Sequence, residues 1–404
     1  MPPNILIVGN ICKDIIYSTQ SYPPEDSKVK ALSKEIRIGG NTGNIVQVLS
    51  QLRNCNVGCC VKLGSCQFSS HIRSSLEGDG VTVVGVVEPD MDIPESVLIH
   101  SSETSSRTCL HYRGNCNDLT CKEVLAAVGD MSGYDWVHLE HRRNGLEVLE
   151  LAKQIKQRIP EVVMSIDIEK IREGFEDMLG VVDFPIVSKE VCRTLGFDNL
   201  QAALAGLSVH CTHALIVTWG DKGAGMWLAQ GIDNLTFNSK MLHKVDQNTF
   251  TCDAFKVEDI VDSIGAGDSF SAGFIYSSSL QDKTMLPVSL LLACKLAASK
   301  LKHSDSSSTL DNFINHPLTS PLVKLALWLS LLLFFAHHEF GSVFFLVSIP
   351  VFVWQSMEEY KRGPRELSAY SVFNRNLEKL DGTFTSEQWE RELKYGAAAI
   401  RKQD

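Results

Sequence analysis

Two short stretches carry residue types that could do chemistry together. In Asp262-Ser263-Ile264-Gly265-Ala266-Gly267-Asp268, three small residues stand in front of an aspartate, and Ser269 onward reads as a helix. Glycines let backbone N–H groups crowd at a helix N-terminus, where the macrodipole favours an anion. A carboxylate at the same terminus fits phosphoryl transfer: the N–H groups hold the moving phosphoryl while Asp268 takes the proton of an acceptor hydroxyl. An ordinary Gly-rich turn capped by Asp268 is the competing reading. The second stretch, Gly39-Gly40-Asn41-Thr42-Gly43-Asn44, leads into an apolar-striped helix from Ile45 to Leu52. The amides of Asn41 and Asn44 can each donate and accept, as a hydroxyl-rich ligand requires. Capping by Asn41 is compatible with that role.

Both stretches need a frame. Ile5–Gly9, Val137–Glu140, Val163–Asp167, Phe184–Ser188 and Ala214–Gly220 are short apolar runs with helical patterns between them. That alternation predicts a doubly wound α/β sheet in three αβα layers. Val261 is read as closing a further strand. Asp14 follows the first strand near its carboxyl end, where open sheets place their ligands. Val29 to Ile38 alternates like a peripheral strand, and Asp221-Lys222-Gly223 is good turn chemistry.

Composition narrows the class. At 404 residues the chain exceeds one ordinary domain, and its net charge of -10 without a basic arm argues against a nucleic-acid partner. The 12 cysteines all lie between Cys12 and Cys294 and lack the paired C-x-x-C spacing of a zinc site. They read as reduced thiols in a cytosolic protein, with no metal held by the chain. Met1-Pro2-Pro3-Asn4 leads straight into a strand, so no signal peptide is expected.

The string Asp262 to Phe274 resembles the second signature of the PfkB (ribokinase-like) carbohydrate kinases, and Gly39 to Asn44 resembles the first. Within that family the chain is similar to the ketohexokinase (hepatic fructokinase) branch. The likeness rests on Tyr22-Pro23 with Glu25-Asp26-Ser27, Val137-His138-Leu139-Glu140, Ile168-Glu169-Lys170, Val187-Ser188-Lys189-Glu190 and Leu195-Gly196-Phe197. The resemblance implies a ribokinase-like fold with a small β lid and transfer of the ATP γ-phosphoryl to a sugar, fructose at its C1 hydroxyl above all. It implies Asp268 as general base and Gly265, Ala266 and Gly267 as anion hole. Asp14, Gly40, Asn41, Asn44 and Glu140 should contact the sugar, and Arg107 should reach from a lid strand toward phosphate or sugar. Trp219, Asp221 and Gly223 should lie on the nucleotide side, Gly223 making room for phosphates, and Lys189 near phosphate or merely solvated. Mg2+ on the nucleotide, K+ near the anion-hole loop, and a homodimer clasped through lid strands near 28–38 and 95–115 come with the family. His141 stands where the family has glycine. Leu291 to Ala298 corresponds to a late helix lining the adenine pocket, after which the chain departs into a Ser-rich segment.

Residues 303–320 read as a polar linker between a kinase domain over 1–302 and an added tail. Leu322 to Trp354 carries only Lys324 and Glu339 as charges, interrupted by His337-His338-Glu339. Each apolar half is shorter than the roughly 20 residues a span requires. Residues 321–355 are therefore expected to be a membrane-associated helical hairpin, with Lys361, Arg362 and Arg365 on the cytosolic side. Ser368 to Asn374 is the name-giving motif of the SAYSvFN-domain proteins, resembled over roughly 318–396, and the module 356–404 ends in a short helix led by a Thr385–Gln388 capping box. That resemblance implies an interaction or anchoring role at the endoplasmic reticulum membrane. The competing function is accordingly a membrane-anchored interaction protein whose kinase fold has weak or no turnover, or a kinase for another ribokinase-family substrate.

Overall fold

The computed structural model describes residues 2–302 apart from 53, 105, 232–238, 259, 261 and 281–285. The chain divides into two compact units, Met1–His316 and Pro317–Asp404. The linker, the hydrophobic segment 321–355 and the SAYSvFN motif lie outside the described residues. Among the described residues no helix is long and apolar enough to cross a membrane.

The first unit opens with β1 (Asn4–Val8), β2 (Cys12–Thr19), β3 (Ser33–Gly39) and α1 (Asn41–Gln51). Next come β4 (Asn56–Leu63), α2 (Gln67–Gly78), β5 (Thr82–Val87), β6 (Glu95–Ser101) and β7 (Arg107–Tyr112). The middle alternates α3 (Cys121–Val128), β8 (Trp136–Glu140), α4 (Gly145–Arg158), β9 (Val163–Ile168), α5 (Phe175–Val181) and β10 (Phe184–Val187). It continues through α6 (Lys189–Thr194), α7 (Leu200–Leu207), β11 (Ala214–Thr218), β12 (Ala224–Leu228), β13 (Leu242–Lys244) and β14 (Thr249–Cys252). Two long helices close it, α8 (Ala266–Leu280) and α9 (Leu286–Lys300).

Among the described residues ten strands form one sheet in the order β13-β14-β12-β11-β10-β9-β8-β1-β4-β5. From β5 to β11 all pairs are parallel; β12, β14 and β13 add an antiparallel margin, so the sheet is mixed. Strand periodicity explains the three layers. In β1, Ile5 and Ile7 enter a core with α1, α2, α8 and α9, while Leu6 and Val8 enter a second core with α3, α4, α5 and α7. Trp136, Phe184 and Phe274 stack and edge against each other where α8 packs on the sheet.

The remaining four strands form a separate sheet in the order β3-β2-β6-β7, the expected lid. The strand read as closing at Val261 ends outside the described residues; β14 ends at Cys252, and residues 253–258 carry no strand. Helix α8 begins at Ala266 rather than Ser269, because Gly265 takes the left-handed backbone (φ +74) and the helix starts directly after it.

Candidate active site

Strand register builds the inner face of the lid. Residues two apart share a face, and pairing sets Arg37, Asp14, Ser96 and His111 side by side across β3, β2, β6 and β7. The row nearer the open end is Ser33, Ser18, His100 and Arg107. This face and the turn Asp262–Ile264 enclose a cavity of about 230 Å³, lined also by Glu35 and Arg37. Arg107 is thus on a lid strand, facing the approach to α8. Asp14 is buried, accepts from Cys12 Sγ at 3.1 Å, and has its carboxyl raised above the usual range by burial, against a lowering pull from Cys12, Ser96 and Arg37.

Under the lid, α1 and α8 bring the two signature stretches together. Asn44 Nδ2 donates to Asp268 Oδ2 at 2.7 Å, joining residues 224 positions apart. Asp268 is 7% exposed in the first turn of α8, and the Ser269 N–H donates to Gly265 O at 2.8 Å. A side chain at Gly267 would point into open space, so the N-terminus of α8 is unobstructed there. Burial raises the Asp268 carboxyl well above its ordinary value; Glu169, Asp167 and Glu140 push the same way, and the Asn44 hydrogen bond opposes them.

Those three carboxylates belong to neighbouring strands. Glu140 ends β8 in register with Asp167 of β9, and Glu169 follows β9. Glu140 Oε2 accepts the Asn10 N–H at 2.7 Å and the Thr42 hydroxyl at 3.4 Å. Its Oε1 has no hydrogen-bond partner, with Arg142 Nη1 3.6 Å away. Burial raises Glu140, and Arg142 offsets it. Glu169 is raised by burial, then by Asp167 and Glu140, and lowered by a hydrogen bond to Asn41. Asn41 is the first residue of α1, while its N-cap Gly40 sits against the main chain of Asn10; neither caps with a side chain. Asp167 accepts from Ser271 of α8 at 2.8 Å and faces His138 at 3.4 Å, tying α8 to the sheet. Two glycines leave these carboxylates their space: a Cβ at Gly9 would overlap Glu140, and one at Gly39 would overlap Asp14.

The nucleotide-side residues stand elsewhere on the carboxyl edge, after β11. Trp219 is buried in the core and its N–H donates to Gly223 O at 2.7 Å. Asp221 is exposed, with Lys189 Nζ at 3.7 Å, so Lys189 adjoins this loop. Gly223 takes φ +87, and a Cβ there would strike the main chain of Cys252–Ala254. The fold itself therefore requires glycine at 223, a demand separate from the phosphate clearance expected of it. None of the three shares a hydrogen bond or ion pair with Asp268 among the described residues. His141 is buried, and burial lowers it, against a raising pull from the main chain of Lys170 and Glu173.

Sequence reasoning gave no role to Asp167, Glu169, Arg37 or Lys300. The signal for the first two was present: β9, like β8, is an apolar strand closing on carboxylates.

A carboxylate beside an open helix N-terminus, amides at its side and a lid above is an arrangement for moving a phosphoryl group. The pfkB family carbohydrate kinase model matches residues 2–312. The chain belongs to the pfkB family of carbohydrate kinases. It is a sugar kinase. Mouse ketohexokinase is 32% identical over 309 residues, covering 73% of this chain and 95% of that protein. Ribokinase from Giardia lamblia superposes with a TM-score of 0.64 at 14% identity over 76% of this chain and 95% of that one. Arabidopsis thaliana ribokinase, solved with ribose and ATP, gives 0.60 at 17% identity over 76% and 96%. The tail matches an uncharacterized conserved domain (SAYSvFN) over residues 324–393. Human SAYSvFN domain-containing protein 1 is 47% identical over 84 residues, 20% of this chain and 44% of that protein. The chain thus spans under half the length of that relative and joins the two families.

Proposed function

We propose that this sugar kinase transfers the γ-phosphoryl of ATP to the C1 hydroxyl of fructose. The observation carrying the reading is the Asn44–Asp268 hydrogen bond beneath the open N-terminus of α8. Asp268 takes the hydroxyl proton, the freed oxygen forms its bond to the γ-phosphorus, and the bond to the ADP oxygen breaks. The N–H groups of Gly265, Ala266 and Gly267 hold the charge that develops on the phosphoryl oxygens. A base with a raised pKa is better matched to a hydroxyl than an ordinary aspartate. Glu140 Oε1, which faces Arg142 but accepts no hydrogen bond, is the acceptor for a sugar hydroxyl; Asp14, Asn41 and Asn44 complete the sugar contacts. Arg107 closes over the phosphoryl from the lid, and Trp219, Asp221 and Gly223 mark the nucleotide end. Mg2+ comes to this site as part of the nucleotide substrate.

The outer face of the lid supports a dimer. Pairing aligns Ile36, Ile15, Val97 and Leu110 in one row across all four strands, with Leu110 58% exposed. An apolar row of this kind is an interface feature. We further propose that 321–355 attaches the chain to the endoplasmic reticulum membrane with the kinase on the cytosolic side, on the strength of its apolar composition and the basic residues after it.

The test is fructose-dependent ADP release by the full chain in detergent with Mg2+ and K+, beside ribose, adenosine and other ketoses. Turnover favouring fructose supports the assignment, and preference for another substrate replaces it. A folded protein inert toward every acceptor refutes the catalytic reading and leaves the tail as the functional half.

A further inference from the structure

Family resemblance implies a K+ ion near the anion-hole loop, and the carboxylate that approaches this loop is already engaged. Asp262 Oδ1 accepts the Ile264 N–H at 2.8 Å. Its Oδ2 receives Arg37 Nη1 at 3.1 Å and Lys300 Nζ at 3.2 Å. The Asp262 N–H donates in turn to Leu301 O at 3.3 Å. Lid strand β3, the last turn of α9 and the approach to α8 therefore meet on one side chain.

Burial makes the contact purposeful. The Lys300 side chain is 1% exposed and that of Asp262 12%. An ammonium is withdrawn from water only where an anion and its hydrogen bonds compensate. Glu35, on the strand of Arg37, takes Nε and Nη2 of that guanidinium at 2.6 and 2.7 Å. Two cations thus face two anions, and the group is neutral. A solution cation arriving beside Asp262 would find both oxygens occupied by donors and two positive groups within a few ångströms. The residues present do not fit a K+ ion there.

We propose that the Lys300 ammonium is the built-in monovalent cation of this loop. Together with Arg37 it neutralises Asp262 and fixes Ser263–Gly265, so the N–H groups at the start of α8 keep their geometry without K+ from solution. Lys300 is a positioning residue: it acts through Asp262. The inference rests on reading Gly265–Gly267 as the phosphoryl-binding turn.

The experiment compares the full chain in detergent at about 0.1 M KCl and about 0.1 M tetramethylammonium chloride, by melting temperature and by sugar-dependent ADP release. The wild type is expected to melt at one temperature in both salts and to turn over at rates within roughly two-fold, as is Lys300→Arg. Lys300→Met, which keeps the length and removes the charge, is expected to lose about ten-fold or more in tetramethylammonium and to recover in KCl. A wild type that K+ stabilises, or accelerates by about ten-fold, overturns the proposal. So does a folded Lys300→Met whose rate is the same in both salts. Should that variant not fold, the wild type and Lys300→Arg decide. Should the chain turn over no sugar, the melting comparison still decides, which separates failure here from failure of the catalytic assignment.

Discussion

Replacing Asp268 by Asn should move activity and stability in opposite directions. The substitution keeps the shape and one oxygen for the Asn44 amide, now at 2.7 Å, and removes only the charge and the basicity. Loss of a positioned general base should lower kcat by roughly 1,000-fold, within the usual range for such groups, with the sugar KM little changed. Stability should rise. Asp268 is 7% exposed and three carboxylates raise its proton affinity, so ionising it opposes folding. Relief of one such charge should contribute on the order of 1–2 kcal/mol, or about 2–6 °C in melting temperature. The sign with pH is set by the raised pKa. A carboxyl whose folded pKa lies above its unfolded value stabilises the fold below the unfolded pKa, and that contribution is lost as pH rises through the folded pKa. The advantage of Asp268→Asn should therefore be larger at pH 8 than at pH 5 and vanish in acid. Thermal melts across pH, beside single-turnover ADP release, read both quantities. A variant that is less stable than wild type at pH 8, or that keeps more than about a tenth of wild-type kcat, excludes Asp268 as a buried general base.

The same geometry sets three further outcomes. The acid limb of kcat/KM for wild type should lie above the ordinary aspartate range, because burial and then Glu169 raise Asp268; a limb at an exposed-aspartate value speaks against that base. Glu140→Gln should raise the sugar KM by about ten-fold while kcat stays within a few-fold, since Oε1 is the acceptor that receives no hydrogen bond; steady-state kinetics with an unchanged KM contradicts this contact. Leu110→Lys, placed in the outer lid row, should convert a dimer to a monomer in light scattering while the melting temperature holds; an unchanged mass removes that face as the interface.

Much of the frame was legible in the sequence because its signals are local. Short apolar runs gave β1, β8, β9, β10 and β11 near their true bounds, and the two glycine-rich stretches located both halves of the proposed site. Ile260 is apolar, yet it is 46% exposed and belongs to no strand. Asp167 looked like the last residue of a strand; only its register against Glu140 turns it into part of a carboxylate cluster. Arg37 and Asp262 lie 225 residues apart, and no local pattern encodes that ion pair. Gly223 showed the converse: its glycine was legible, but the main chain crowding it belongs to Cys252–Ala254, at the end of β14 and just beyond.

Gly9 and Gly39 carry a consequence for how substitutions at this site will be read. Any side chain at either position displaces a carboxylate, Glu140 from one and Asp14 from the other. In a saturation mutagenesis survey both will score as intolerant as the residues that bind. A binding footprint drawn from intolerance alone would be too wide by these two positions.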